Sequence, residues 1–247
     1  MAQWIEGTIV DNVRWSENLF SLKIDADIDT FVAGQFTSLA LDINGERIAR
    51  PYSYLSSPDQ RPVEFYFYTA TDGILSNAML NLKPNDSIWI KQQANGFFTL
   101  DEVPDSKNLW LLGTGTGVAP FFSILNTEKS WQRFEHIVLI HAVRTTQDLL
   151  YQEIVKSLKQ KYAERFRFQA VVSREHISES VYGRIPAAIE SGELEKSVDL
   201  KLALDDSQIM LCGNPEMVKD TVDVLKARGF TKNRRRTPGH ITVENYW

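Results

Sequence analysis

The sequence is short of most of what marks metal, disulfide and membrane proteins. Cys212 is its single cysteine, which excludes an internal disulfide and a cysteine-rich metal or cluster site. The four histidines are scattered without ligand spacing, so no metal is expected. No apolar run approaches the roughly 18 residues that a membrane-spanning helix needs, so no membrane role is expected. Met1-Ala2-Gln3-Trp4-Ile5-Glu6 has neither the basic nor the apolar region of a secretory leader, and a cytoplasmic location is the expectation. The net charge of −5 argues against general nucleic-acid binding. Internal repeats and low-complexity tracts are missing too.

What is present is an ordinary globular composition, 43% hydrophobic and 24% charged, over 247 residues, enough for two modest domains or one large one. Six Trp, eight Tyr and thirteen Phe include several in polar company, where flat ligands rather than cores can be their partners. Lys232-Asn233-Arg234-Arg235-Arg236 is a local basic cluster whose plain reading is a solvated loop.

Two textures divide the chain. Up to about residue 100, short alternating runs at 6–10, 19–24, 36–41, 63–68 and 86–90 read as strands, separated by turn residues such as Asn44-Gly45 and Lys83-Pro84-Asn85-Asp86. That spacing predicts an antiparallel barrel, interrupted by one helix from Ile74 to Leu82. After Val103-Pro104-Asp105-Ser106, strand-like runs at 109–112, 136–140, 166–172 and 208–212 alternate with helical stretches near 118–128, 148–161, 184–195 and 215–228. Alternation of this kind predicts a parallel sheet wrapped by helices, so the fold class is two-domain: 1–104 an antiparallel β-barrel, 105–247 an α/β domain.

Three constellations carry chemistry. Gly113-Thr114-Gly115-Thr116-Gly117-Val118-Ala119-Pro120 follows an apolar strand and opens a helix. It serves either as a packing turn or as a phosphate cradle, since its spacing is neither G-x-G-x-x-G nor a P-loop. In Arg50-Pro51-Tyr52-Ser53-Tyr54, arginine suits a diphosphate, an aromatic suits a flat ring and a serine hydroxyl suits a ring nitrogen, while a plain strand with aromatic cross-strand pairs accounts for it equally. Gly73 and Ser76, at the start of the predicted helix, would add a second anion site.

Taken in order, Arg50-x-Tyr52-Ser53, Gly73-x-x-Ser76, Gly113 to Pro120, Val172-Ser173-Arg174-Glu175 and Cys212-Gly213-Asn214-Pro215 resemble the motif set of the ferredoxin–NADP⁺ reductase family, closest to its bacterial, flavodoxin reductase-like type. The resemblance spans essentially the whole chain, including the final Tyr246-Trp247. It implies an FAD-binding barrel and an NADP(H)-binding α/β domain whose C-terminal tail returns to the flavin. It also implies a reaction, hydride transfer between NADPH and FAD N5 with single electrons passed to or from flavodoxin or ferredoxin.

Residue by residue, Arg50 would pair with the FAD pyrophosphate, Pro51 and Tyr52 would border the isoalloxazine, and Ser53 would hydrogen-bond near N5. Tyr66, Phe67 and Tyr68 would flank the flavin, Gly73-Ile74-Leu75-Ser76 would complete the phosphate site, and Thr116 would stand where the two cofactors meet. For NADP(H), Ser173, Arg174 and Arg184 would grip the 2′-phosphate, with Val143 and Arg144 nearby on the nucleotide. Cys212 is by composition a small buried hydrophobe; by resemblance its thiol lies near the nicotinamide, bordered by Asn214, Pro215 and Glu216. Glu244-Asn245-Tyr246 fits a C-terminal glutamate-x-tyrosine acting beside the nicotinamide, and Trp247 would stack on the FAD adenine or nearby. The basic cluster before the tail becomes a docking face for acidic flavodoxin or ferredoxin, and a monomer is the expectation. Two rivals remain: an NADH-dependent flavin or oxygenase reductase on the same scaffold, and a non-catalytic flavin-binding subunit.

Overall fold

Alternating side chains in the first hundred residues build one antiparallel sheet. The computed structural model describes residues 3–149 and 151–245. Strands β1 (Trp4–Arg14), β2 (Leu19–Asp25), β3 (Phe36–Ile43), β4 (Glu46–Ser53), β5 (Val63–Tyr68) and β6 (Ser87–Lys91) lie in the order β4-β3-β6-β1-β2-β5. Asn44 and Gly45 both have positive φ, 52° and 83°, the two-residue turn whose twist suits the β3–β4 hairpin. An isolated antiparallel bridge between Tyr54, just past β4, and Phe65 within β5 links the two edge strands, so the sheet curls toward a barrel. Its core holds Phe20, Leu22, Ile24, Leu39, Tyr54, Val63 and Phe65, with Phe31 stacked on Tyr54 at 3.9 Å. On the outer side Arg47 lies over Trp89 at 4.0 Å, and both side chains bond Asp42.

The helix expected to reach Leu82 is shorter: α1 runs Ile74–Met79. Asn12 of β1 donates through Nδ2 to the carbonyls of Met79, Leu80 and Leu82, taking the acceptors at the helix end, and Pro84 follows.

The second half alternates as expected. β7 (Asn108–Thr114), β8 (His136–Val143), β9 (Phe166–Val172), β10 (Ser180–Tyr182), β11 (Ser207–Gly213) and β12 (Ile241–Asn245) form an all-parallel sheet in the order β10-β9-β8-β7-β11-β12. Burial on both faces explains why β7, β8 and β11 read as continuous apolar runs. Helices α2 (Ala119–Leu125), α3 (Glu128–Arg133), α4 (Gln152–Tyr162), α5 (Ile185–Glu190), α6 (Glu193–Val198) and α7 (Pro215–Ala227) connect the strands. One expected helix is broken and another slightly shortened. The stretch near 118–128 is α2, led in by a 3-10 turn at Gly115–Val118 and ending at Leu125, with the separate α3 following at Glu128; that near 184–195 divides at Gly192, whose φ is +74°.

Two compact units result: residues up to Leu100 with Ala119–Thr127, and Asp101–Val118 with the residues from Glu128 onward. Helix α2 thus packs in the first unit, where Ser123 Oγ donates to the Ser56 carbonyl at 2.6 Å and Phe121 meets Phe98. Among the described residues no helix is long and apolar enough to cross a membrane, and no cluster of His, Cys, Asp or Glu could hold a metal.

Candidate functional site

In the first unit the candidate residues converge on β4. It is an edge strand, which is why Pro51, lacking an N–H, is tolerated inside it. Alternation puts Arg50 and Tyr52 on one face and Ser53 on the other. Arg50 is exposed, bonds only the neighbouring Ala49 carbonyl through Nη1 and forms no ion pair with a described residue. Tyr52 is half-buried, edge-on to Phe67 at 6.4 Å, and burial pushes its phenol up to about 12, so it is neutral at any working pH. Ser53 is buried. Beside β4 lie α1 and β5, on which Tyr66 and Phe67 are buried and Tyr68 is exposed. The turn into α1 is closed by Ser76 Oγ, which donates to the Gly73 carbonyl at 3.2 Å; a Cβ at Gly73 would overlap that hydroxyl.

In the second unit they gather at the C-terminal end of the parallel sheet. β7 and β11 are neighbours, yet the chain leaves β7 for β8 on one side and β11 for β12 on the other, the topological switch at which such sheets bind ligands. The two strand-end loops touch there. A Cβ on Gly117 would lie 2.6 Å from the Gly213 Cα, Gly213 itself has φ +136°, and the Asn214 N–H donates to Thr114 Oγ1 at 2.9 Å. Asn214 Oδ1 then accepts from the N–H groups of Glu216 and Met217, capping α7 ahead of Pro215 at its first position. Behind the loop, His141 of β8 is fully buried, with Nε2 at 3.1 Å from the Gly115 carbonyl, and burial holds its imidazole down at about 4.

The next three strand ends bring the arginines together. The β8–β9 ladder continues past the strands, Ser173 N–H donating to the Val143 carbonyl at 3.1 Å and Arg174 N–H to that of Arg144 at 3.0 Å. Gly183 N–H donates to the Val172 carbonyl and turns the chain at φ +120° into Arg184, the residue that precedes α5. Arg144, Arg174 and Arg184 are exposed and pair with no described carboxylate. They line three adjoining strand ends, next to the β7–β11 crevice.

An oxidoreductase FAD-binding domain model matches residues 8–97, and an oxidoreductase NAD-binding domain model matches residues 111–223. The flavodoxin/ferredoxin–NADP reductase of Escherichia coli strain K12 is 48% identical over 248 residues, covering all of both chains. That of Buchnera aphidicola subsp. Schizaphis graminum is 44% identical, again over all of both. A crystal structure of a ferredoxin NADP⁺ reductase from Neisseria gonorrhoeae with bound FAD and NADP superposes with a TM-score of 0.95 at 32% identity, covering both chains in full. The chain belongs to the flavodoxin/ferredoxin–NADP reductase family.

In this reductase the antiparallel sheet is the FAD domain and the parallel sheet the NADP domain, the fold that the sequence leads one to expect. The last strand completes the picture: β12 pairs with β11 so that Glu244 stands opposite Cys212. Burial leaves Glu244 Oε2 without a partner among the described residues and pushes the carboxyl up to about 7. The Cys212 thiol is fully buried and raised well above its ordinary range, by burial first and by Glu244 second, so it is no thiolate nucleophile. Tyr246 and Trp247 lie outside the described residues. His141, which holds the turn's Gly115 carbonyl, is passed over by sequence reading; its one available signal is a lone imidazole between the apolar Ile137-Val138-Leu139-Ile140 and Ala142-Val143.

Proposed function

We propose that this reductase moves electrons between NADP(H) and flavodoxin or ferredoxin by way of bound FAD. The carrying observation is the row of exposed, uncompensated arginines at three adjoining strand ends beside the glycine-on-glycine crevice. A 2′-phosphate calls for such donors, whereas a free ribose diol is commonly met by a carboxylate. Ser173, Arg174 and Arg184 hold that phosphate in this reading, and Val143 and Arg144 serve the remaining phosphates. Asn214, Pro215 and Glu216 border the nicotinamide half, with Cys212 shaping its pocket and Glu244 beside it.

The β4 side fits a flavin equally. Arg50 is an uncommitted cation for the pyrophosphate, which Gly73-Ile74-Leu75-Ser76 helps to receive; Tyr52 offers a neutral ring to the isoalloxazine; Ser53 supplies a hydroxyl; and Tyr66, Phe67 and Tyr68 flank the group. FAD, when bound, supplies the change from two-electron chemistry with the nicotinamide to one-electron chemistry with the protein partner. The chain's own share is orientation: the glycines let the loop carrying Thr116 approach closely, and no protein group needs to act as a strong acid or base. Functionally we assign the flavin site to 1–104 and the nucleotide site to 105–247, although α2 packs with the first unit. The acidic partner docks at Lys232 and Arg234 to Arg236, and the protein works as a cytoplasmic monomer.

Anaerobic titration tests the reading. The purified protein is yellow, NADPH bleaches it at far lower concentration than NADH, and added flavodoxin restores the colour. A colourless protein would support the non-catalytic rival, and a preference for NADH would move the assignment to a flavin or oxygenase reductase.

A further inference from the structure

One buried group in the parallel sheet has no part in the roles above. His141 is wholly enclosed in β8 and faces Gly113 across the sheet. The Gly115 carbonyl can only accept, so the imidazole proton sits on Nε2 and Nδ1 is left as an acceptor. Nδ1 is itself buried with no partner among the described residues. Elsewhere β8 from Ile137 to Val143 is aliphatic, and packing alone would favour another aliphatic side chain over a half-satisfied ring. What the imidazole adds is its hold on Gly115.

That hold fixes a peptide plane. The Gly115–Thr116 bond is trans, so its C=O and N–H point in opposite directions. With the carbonyl drawn in toward β8, the Thr116 N–H is turned toward the half-exposed side of the loop. Gly115 has φ +52°, and the rest of the turn is braced independently by Gly117 against Gly213 and by Thr114 Oγ1 on Asn214. We propose that His141 is a positioning residue, which by holding the Gly115 carbonyl aims the Thr116 N–H at the bound dinucleotide and so strengthens binding of its nicotinamide diphosphate part, and not of its 2′-phosphate end. This rests on the reading of Gly113–Pro120 as the turn that receives the nicotinamide nucleotide.

The test is equilibrium binding to the oxidised, FAD-loaded protein, followed by flavin difference spectra for NADP⁺ and by competition for 2′-phospho-AMP. His141→Phe keeps a flat ring but no donor; His141→Gln places an amide N–H at the reach of Nε2. We expect His141→Phe to weaken NADP⁺ roughly tenfold or more, to leave 2′-phospho-AMP within about twofold, and His141→Gln to restore NADP⁺ binding. If His141→Phe does not fold, His141→Asn, whose amide is too short to reach Gly115, replaces it. Unchanged NADP⁺ affinity, equal weakening of both ligands, failure of the Gln variant to rescue, or loss of folding in all three variants would each overturn the proposal. Parent protein that binds NADP⁺ no tighter than 2′-phospho-AMP would instead refute the underlying reading of the loop, whatever His141 does.

Discussion

Glu244 and Cys212 show how burial sets the chemistry of a pair. The Cys212 thiol stays protonated and the Glu244 carboxyl keeps its proton up to about 7, so below neutral pH together they present a low-polarity wall beside the proposed nicotinamide pocket. The price appears in stability. The folded carboxyl holds its proton up to about 7, whereas the unfolded one releases it near 4.5, so the folded state binds more protons in between. The contribution of Glu244 to stability is therefore fully present below about 4.5 and is lost as pH rises through about 7. Glu244→Gln removes that loss: the variant gains on the order of 1–3 kcal/mol over the parent at pH 8 and little at pH 5. Urea unfolding at the two pH values reads this directly, and parallel profiles for the two proteins would contradict it.

At the level of elements, small polar clasps decide where helices and loops end. Asn12 serves three carbonyls at the end of α1 from a strand 67 to 70 residues away. Asn12→Ala strands those acceptors, and we predict a loss of about 1–3 kcal/mol in thermal or denaturant unfolding, together with faster release of FAD, since α1 carries Ser76. A variant as stable as the parent would show that water replaces the amide without cost. These clasps also explain what was legible. The β3–β4 turn can be read from Asn44-Gly45 because a local backbone rule selects those residues. Strand β10 cannot, because three residues give no periodicity and the ladder to β9 alone makes them a strand. The arginines were legible as residues following apolar strands; their convergence depends on the order β10-β9-β8, which no local pattern contains. His141 is the extreme case, since its role lies in a single bond to a residue 26 positions away.

Across the whole molecule, the net charge of −5 means that the proposed docking of an acidic partner needs a local basic exception. The segment proposed for it is held in place: Arg234 and Thr237 exchange backbone hydrogen bonds across a tight turn, and Asn233 Nδ2 donates to the Glu102 carbonyl and Thr242 Oγ1. Arg235 reaches Glu102 at 3.4 Å, but an exposed pair of this kind holds its charge only weakly. The double variant Arg235→Glu with Arg236→Glu should lower the rate of flavodoxin reduction about tenfold or more at low ionic strength, with the gap narrowing as salt is added and dye reduction unchanged. Stopped-flow traces at two ionic strengths decide it; equal flavodoxin rates would place docking elsewhere.

The two compact units are interlaced along the chain, since the first takes back residues 119–127 after β7 has already entered the second. A gene crossover at the change of texture near Pro104 would therefore separate Phe98 and the Ser56 carbonyl from the Phe121 and Ser123 that cover them. Exchange of modules between relatives by one recombination event is disfavoured at this junction. A crossover that kept these contacts together would have to lie beyond Thr127 and so carry β7 and the glycine turn with the first unit.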